Sequence, residues 1–134
     1  VGVFADYDND GFKDFFVSRT YKPNNLFHNN GDGTFTEVTK KAGIGEDCCT
    51  TVASWADYDN DGRPDLFVAN AGPNALYHNN GDGTFTDVTD KAGVPGTGYG
   101  LGISVADYDN DGHPDIYICQ WGRTICYNLS KSFC

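Results

Sequence analysis

The sequence predicts an all-β fold made of repeated four-stranded antiparallel units, and three observations support this prediction. The composition favours turns over helices, because the 134 residues include 17 Gly, no Met and 19 acids, of which 17 are Asp. The apolar runs are short, rich in β-branched and aromatic residues, and bounded by Asn, Asp and Gly, and no stretch keeps a helical period over three turns. The same order of features also recurs at a spacing of about 50 residues.

The repeat is marked by the heptapeptide Ala-Asp-Tyr-Asp-Asn-Asp-Gly, which occurs at 5–11, 56–62 and 106–112. A short apolar segment precedes each copy, and a second apolar run follows it. In the first two units an Asn-rich segment, a Gly-rich turn and an alternating strand complete the repeat. Four short strands recurring near 50 residues are typical of a β-propeller blade, which must stack on neighbours to bury both of its faces. We therefore expect one repeat domain over 1–134, with blades at about 1–47, 50–95 and 99–134.

The third unit departs from this pattern. Its third strand is recognisable at 124–128, but no Asn-Gly-Asp-Gly turn follows it. The prediction is thus two full blades and a truncated third, an open or partial propeller, since closed propellers typically have four to eight blades. The chain begins Val-Gly-Val without Met, which suggests a mature or excised product. Because its end blades would expose apolar faces and unpaired edges, we expect protein partners, either further copies or the remaining blades.

Each heptapeptide opens a loop with Asp at positions 1, 3, 5 and 9 and Gly at position 6. Alternate residues of a tight loop point their carboxylates to one centre, and Gly permits the sharp turn. Position 7 varies, as expected of a residue that contributes only its backbone carbonyl. Oxygen ligation by flexible carboxylates suits Ca²⁺, whereas Mg²⁺ demands stricter octahedral geometry and Zn²⁺ prefers His or Cys. We predict three Ca²⁺ sites: Asp6, Asp8, Asp10, Phe12 (backbone) and Asp14; Asp57, Asp59, Asp61, Arg63 (backbone) and Asp65; Asp107, Asp109, Asp111, His113 (backbone) and Asp115.

Electrostatics favours the same interpretation over two alternatives. Two carboxylates ~4 Å apart repel by about 4 kcal/mol at an effective dielectric near 20, and three bound Ca²⁺ would reduce the net charge from −10 to −4. Simple Asn-Asp-Gly hairpin turns would not explain the acids at positions 1, 3 and 9. An EF-hand would need flanking helices and a bidentate Glu at position 12, which holds Val17, Val68 and Ile118.

A family resemblance follows from these motifs. The loop D-x-D-N-D-G-x-x-D, followed by N-x-L-[FY]-H-N-N-G-D-G-T-F-T-[ED]-V-T, resembles the FG-GAP (VCBS-type) repeats of integrin α subunits, acidic cartilage proteins and many bacterial surface proteins. The resemblance covers nearly the whole chain and fades after Asn128. It implies a propeller fold, extracellular placement, Ca²⁺ in each loop, and roles in adhesion or matrix structure, but it supplies no ligand.

The five cysteines match neither a zinc spacing nor a C-x-x-C redox pair. They are explained either by disulfides in an oxidising compartment, with one cysteine left for another chain, or by buried free thiols. Cys119 and Cys126 are expected on neighbouring antiparallel strands joined by a short loop, and we predict a disulfide between them. Cys48 and Cys49 cannot easily pair with each other, and one could meet Cys134 or a second chain.

Four further residues have both a structural and a functional interpretation. His28 and His78 share one repeat position, and we expect a structural task for them rather than metal ligation or catalysis. Trp121 has no counterpart in the other units and either packs or stacks on a sugar. Asn128 begins the single N-x-S/T sequon of the chain, and we predict that it carries a glycan if the source is eukaryotic.

These observations predict a non-enzymatic extracellular module, secreted or at the cell surface, whose calcium ions stiffen a scaffold for adhesion or assembly. The charge of −10 argues against nucleic acid, no apolar run approaches a membrane span, and no signal peptide is visible. A lectin-like module that holds glycans between blades remains an alternative, as does a non-catalytic part of a larger extracellular enzyme. The chain offers no nucleophile–base pair, and metal explains every carboxylate cluster.

Overall fold

The computed structural model describes residues 1–19, 21–45 and 49–127, and it confirms an all-β fold of short antiparallel strands. The strands fall into three blade-like groups, each following the chain order. Blade 1 consists of β1 (Gly2–Ala5), β2 (Asp14–Val17), β3 (Asn25–Asn29) and β4 (Phe35–Glu37). Blade 2 consists of β5 (Thr50–Ala56), β6 (Asp65–Pro73), β7 (Ala75–Asn79) and β8 (Phe85–Asp87). A short helix, α1 (Thr89–Ala92), then leads to β9 (Thr97–Ala106), β10 (Asp115–Gln120) and β11 (Arg123–Tyr127) of blade 3.

The strand register repeats from blade to blade, so residues at one repeat position occupy equivalent places. In each blade the first-strand residue that precedes the loop alanine pairs with the second-strand residue that follows the position-9 Asp. That second-strand residue also pairs with an aromatic residue of the third strand. The equivalent rows are Phe4, Phe15 and Phe27 in blade 1, Trp55, Leu66 and Tyr77 in blade 2, and Val105, Ile116 and Tyr127 in blade 3.

Two apolar cores lie between the blades, and strand β6 contributes to both of them. Leu66 and Val68 belong to the core shared with blade 1, whereas Phe67 and Ala69 belong to the core shared with blade 3. The period of two along a strand sends successive side chains to opposite faces, and the first six residues of β6 are all buried. Blade 2 is therefore covered on both faces, as the stacking of blades requires.

Blades 2 and 3 are also joined by backbone pairing that the sequence did not indicate. The far end of β6, from Ala71 to Pro73, pairs antiparallel with Thr97 to Tyr99 at the start of β9. This pairing joins the two blades into one seven-stranded sheet, in which β5 also pairs with β6. Strand β9 thus begins two residues before the boundary expected for the third blade.

The strand register contradicts the predicted disulfide between Cys119 and Cys126. Both residues lie on neighbouring strands, but Cys119 pairs with Thr124 while Cys126 pairs with Tyr117. The two cysteines are therefore diagonal neighbours, whose Cα atoms are usually ~7–8 Å apart, beyond the usual disulfide range. The structure accordingly has both as exposed free thiols.

Some expectations fall on residues outside the described part of the chain. The glycan at Asn128 and the partners of Cys48 and Cys134 belong to this group. Within residues 1–19, 21–45 and 49–127, no helix combines the length and the apolarity needed to cross a membrane.

Candidate metal centres

The turn of each Asp loop is held by the carboxylate at position 1. Asp6 accepts the backbone N–H of Asp10 at Oδ1 (3.0 Å) and that of Gly11 at Oδ2 (3.0 Å). Asn9 at position 4 and Gly11 at position 6 have φ of 58° and 92°, in the left-handed region that Asn and Gly tolerate best. The equivalent bonds occur in the other two loops, at Asp57 and at Asp107. The sequence therefore folds the turn of each loop locally.

The carboxylates of positions 1, 3 and 5 converge in the first two loops. At position 5, Asp10 Oδ1 accepts the N–H of Phe12 at 2.8 Å, and Asp10 Oδ2 lies 4.0 Å from His28 Nε2. Three groups of side chains each offer carboxylate oxygens that all lie within 4.8 Å of one another. They are Asp6, Asp8 and Asp10; Asp57, Asp59 and Asp61; and Asp107, Asp109 and Asp115. The structure thus brings together acids from every predicted loop.

The Asp at position 9 is buried in all three loops and ties its loop to the sheet. Asp14 Oδ2 accepts the N–H of Tyr7 (3.1 Å), and Asp14 Oδ1 accepts the N–H of Asn29 on β3 (2.9 Å). Asp65 makes the same two bonds in blade 2. In blade 3, Asp115 Oδ2 accepts the N–H of Tyr108 (3.1 Å), whereas the buried Oδ1 has no hydrogen-bond partner among residues 1–19, 21–45 and 49–127.

Burial and like charge make three carboxylates of the first two loops hard to ionise. Burial raises the pKa of Asp65 from its ordinary 3.8 to about 8, and the neighbouring Asp59 and Asp61 add to the increase. The pKa of Asp14 and of Asp8 is also raised, in both cases chiefly by burial. A bound cation would oppose each of these effects, because it favours the ionised carboxylate.

Two histidines that were expected to have a structural role lie beside the carboxylate clusters of the first two loops. His28 Nδ1 is 3.2 Å from Asp8 Oδ2 and 3.2 Å from Asp14 Oδ1. His78 Nδ1 stands in the same way 3.2 Å from Asp59 Oδ2 and 3.3 Å from Asp65 Oδ1. The sequence shows only that each His precedes an Asn in the third strand. The contact with the Asp loop depends on the strand register, which brings the third strand beside the loop.

Arg63 distinguishes the second loop from the other two. Its guanidinium forms an ion pair with Asp61, and its Nε donates to the Asn79 carbonyl oxygen at 3.1 Å. Position 7 was expected to contribute only a backbone carbonyl, yet this side chain places a positive charge on a candidate ligand. The equivalent Phe12 in the first loop carries no charge, so the two sites differ electrostatically.

The donor set fits a divalent cation in each loop. The ligand atoms are carboxylate oxygens, with one imidazole nitrogen beside the first two sites. Asp59 Oδ1 is a buried acceptor without a hydrogen-bond partner in the described part of the chain, and such an atom is costly unless a donor or a cation satisfies it. The clusters can therefore hold metal ions.

Comparison with known proteins places these loops in a recognised repeat. A family model described as the FG-GAP-like repeat matches the chain twice, over residues 6–68 and 57–118. Each match begins at the position-1 Asp of a loop and ends in the second strand of the following blade, so the two matches overlap across blade 2. No curated protein matches the chain.

Proposed function

The chain belongs to the FG-GAP-like repeat family, and we propose that it is a non-enzymatic calcium-binding module serving adhesion or matrix assembly outside the cell. One observation carries the proposal: in each of three successive loops, oxygens of three Asp side chains lie within 4.8 Å of one another, from positions 1, 3 and 5 in the first two loops and from positions 1, 3 and 9 in the third. A propeller-like scaffold explains the blade packing, but it does not by itself require twelve Asp residues at these loop positions. A cation in each loop supplies the missing opposite charge.

Each proposed site uses the four Asp carboxylates of its loop and the carbonyl oxygen at position 7. All-oxygen coordination by flexible carboxylates favours Ca²⁺, which accepts six to eight oxygen ligands in irregular geometry. The ligands are Asp6, Asp8, Asp10, Asp14 and the Phe12 carbonyl; Asp57, Asp59, Asp61, Asp65 and the Arg63 carbonyl; Asp107, Asp109, Asp111, Asp115 and the His113 carbonyl. We assign His28 and His78 the task of orienting these carboxylates, since Ca²⁺ prefers oxygen to imidazole nitrogen.

Calcium bound in this way stabilises the blades as well as the loops. Asp14 and Asp65 already link their loops to β3 and β7 through the N–H groups of Asn29 and Asn79. An ion that gathers the loop around this Asp therefore fixes the first, second and third strands of a blade together. The same ion removes the repulsion that opposes folding of the metal-free chain.

The proposed location outside the cell rests on the family resemblance and agrees with the affinity expected of such loops. The loops lack the bidentate Glu at position 12 of tight EF-hand sites, and extracellular modules typically bind Ca²⁺ with Kd of roughly 10⁻⁴–10⁻³ M. Sites of this strength are filled at the calcium concentrations found outside cells. The proposed location outside the cell draws its support from calcium binding and not from disulfides, because Cys119 and Cys126 are free thiols.

Calcium titration by calorimetry, with Mg²⁺ as the comparison ion, tests this function. The expected result is three Ca²⁺ per chain and much weaker Mg²⁺ binding. Asp59→Asn should remove one site, whereas Asp90→Asn changes the charge equally outside the loops and should leave all three sites intact. Absence of calcium binding by the wild-type chain, or equal loss in both variants, would refute the proposal.

A second candidate function, glycan binding, is favoured by one surface recess on blade 3. Tyr99, Leu101 and Trp121 line this recess, and the Trp121 side chain is 80% exposed. Exposed aromatic faces of this kind can stack on sugar rings. Glycan-array binding that Trp121→Ala abolishes would support this candidate, and an array without signal would exclude it for the sugars tested.

A further inference from the structure

Each of the first two Asp loops forms a triad with the histidine of its third strand. The first triad consists of Asp8, Asp14 and His28, and the second consists of Asp59, Asp65 and His78. In both triads one imidazole nitrogen and two carboxylate oxygens lie within 4.8 Å of one another. Positions 3 and 9 of the loop supply the carboxylates, so the repeat produces the same arrangement twice.

The contacts of the imidazole within a triad are not hydrogen bonds. His28 Nδ1 lies 3.2 Å from one oxygen of Asp8 and 3.2 Å from one oxygen of Asp14, yet it has no hydrogen-bond partner in the described part of the chain. The same holds for His78 Nδ1 in the second triad. Because both nitrogen atoms are buried, bulk water does not reach them. A buried polar atom without a partner is costly unless a bound group satisfies it.

The spacing within each triad is that of ligand atoms around one metal ion. Atoms bound at about 2.0–2.2 Å to a first-row transition metal ion lie about 3.0–3.5 Å from one another in octahedral or tetrahedral geometry. The nitrogen-to-oxygen distances in the two triads, 3.2–3.3 Å, fall in this range. One ion in each triad would therefore satisfy the imidazole nitrogen and both carboxylates at once.

The carboxylate at position 9 is already held in place for such an ion. Asp14 Oδ1, the oxygen next to His28, accepts the backbone N–H of Asn29 at 2.9 Å. Asp65 Oδ1 accepts the N–H of Asn79 at 2.7 Å in the same way. Hydrogen bonds to a ligating carboxylate fix its orientation. The two histidine side chains are 27% and 25% exposed, so an ion can reach the triads from solvent.

The nitrogen ligand determines which class of ion a triad favours. Ca²⁺ takes oxygen ligands, whereas Zn²⁺ and related first-row transition metal ions accept imidazole nitrogen together with carboxylate oxygen. Within the described residues, the cluster of the third loop contains carboxylates alone. The sequence has Asn128 at the repeat position of His28 and His78. The first two loops therefore differ from the third in their donor atoms.

We propose that the first two loops are also sites for a first-row transition metal ion of the Zn²⁺ class, which each triad binds through its imidazole nitrogen and its two carboxylates. The third loop takes Ca²⁺ alone. The inference rests on the proposed function, because each triad shares two carboxylates with a calcium site and the two ions compete. With Ca²⁺ in the loop, His28 and His78 stay outside the coordination shell, and with the transition metal ion they enter it.

Co²⁺ is the probe for these sites, because its visible absorption reports the ligands and the geometry around it. The exposed thiols of Cys119 and Cys126 are first blocked with iodoacetamide, so that they cannot bind the probe. The wild-type chain is expected to bind two Co²⁺. His28→Gln and His78→Gln should each weaken one site at least about tenfold, and the double variant should lose both. Asp90→Asn lies outside the loops and should leave both sites intact.

Calorimetric Ca²⁺ titration of the same proteins separates this proposal from the proposed function. The double histidine variant should still bind three Ca²⁺, and the wild type with Zn²⁺ present should bind only one, in the third loop. Co²⁺ binding that the double variant retains would overturn the transition metal sites, as would a wild type that binds three Ca²⁺ but no Co²⁺. A chain that binds neither ion would refute the proposed function as well.

Discussion

The Asn79 side chain donates a 2.7 Å hydrogen bond to the Tyr7 carbonyl oxygen, although the two residues lie 72 positions apart. Tyr7 stands between two candidate ligands of the first loop, and the backbone N–H of Asn79 binds Asp65 Oδ1 of the second loop at 2.7 Å. The fully buried Asn79 therefore connects the first Asp loop to the second across the junction between blades 1 and 2. The loops are parts of one packed structure rather than independent attachments.

Asn79→Ala should destabilise the chain more than the equivalent change in blade 1. The substitution leaves the buried carbonyl of Tyr7 and that of Pro64 without this donor, and we expect a loss of about 2–4 kcal/mol in the free energy of unfolding. Asn29→Ala removes one donated bond, to the Lys13 carbonyl oxygen, and should cost about 1 kcal/mol. Both substitutions also remove the bond that the side-chain oxygen accepts from the glycine two residues on. Denaturant unfolding in calcium measures both. Equal losses would show that the bond across the junction adds no stability.

The metal-free chain should lose stability as the pH rises. Asp65 has a pKa of about 8 in the folded chain against an ordinary 3.8, so the folded chain holds this proton more tightly than the unfolded chain. The resulting stabilisation is complete below about pH 3.8 and is lost progressively as the pH rises through about 8. Thermal unfolding in EDTA across this range should show the decline, and Asp65→Asn should reduce it. An Asp65→Asn variant with the wild-type slope would contradict the assignment.

Arg63→Phe should strengthen calcium binding at the second loop. The substitution removes the guanidinium paired with Asp61 and gives the loop the residue that the first loop has at Phe12. We expect roughly three- to tenfold tighter binding at one of the three sites. Arg63→Lys keeps the charge and serves as the control in the same calorimetric titration. Unchanged affinity in the Phe variant would mean that Arg63 turns away when calcium binds.

His28→Phe should weaken calcium binding at the first loop about tenfold, because the carboxylates of Asp8 and Asp14 lose the group that orients them. His28→Gln keeps a hydrogen-bonding side chain and should retain most of the affinity. Titration with calcium and competition by Zn²⁺ distinguish the two possible roles of this imidazole. If Gln is as harmful as Phe, and Zn²⁺ displaces Ca²⁺ from the wild type, the imidazole is itself a ligand.

The local part of this architecture could be predicted from the sequence. The Asp loops and the short strands around them are encoded within a few residues, by Asn and Gly at the turn positions and by apolar alternation in the strands. The apolar run that follows the second Asp loop, Leu66 to Val68, for instance, lies inside β6. Because the motifs repeat, the same loops and strands could be predicted for each blade.

The features that depend on register could not be predicted in this way. His28 reaches Asp14 because β3 passes beside the loop, and Cys119 faces Thr124 rather than Cys126 because the hairpin places them two residues apart. The pairing of the end of β6 with β9 joins two blades through backbone groups, which leave no side-chain pattern. Each of these contacts joins elements whose relative position is fixed only when the sheet forms.

Thermal unfolding of the wild-type chain in EDTA, in millimolar Mg²⁺ and in millimolar Ca²⁺ tests the central claim most directly. The claim is that calcium in the three Asp loops holds the blades together by neutralising their clustered carboxylates. The account predicts a large rise in melting temperature with Ca²⁺, little change with Mg²⁺, and a lower melting temperature with EDTA. Superimposable unfolding curves in EDTA and in Ca²⁺ would contradict it.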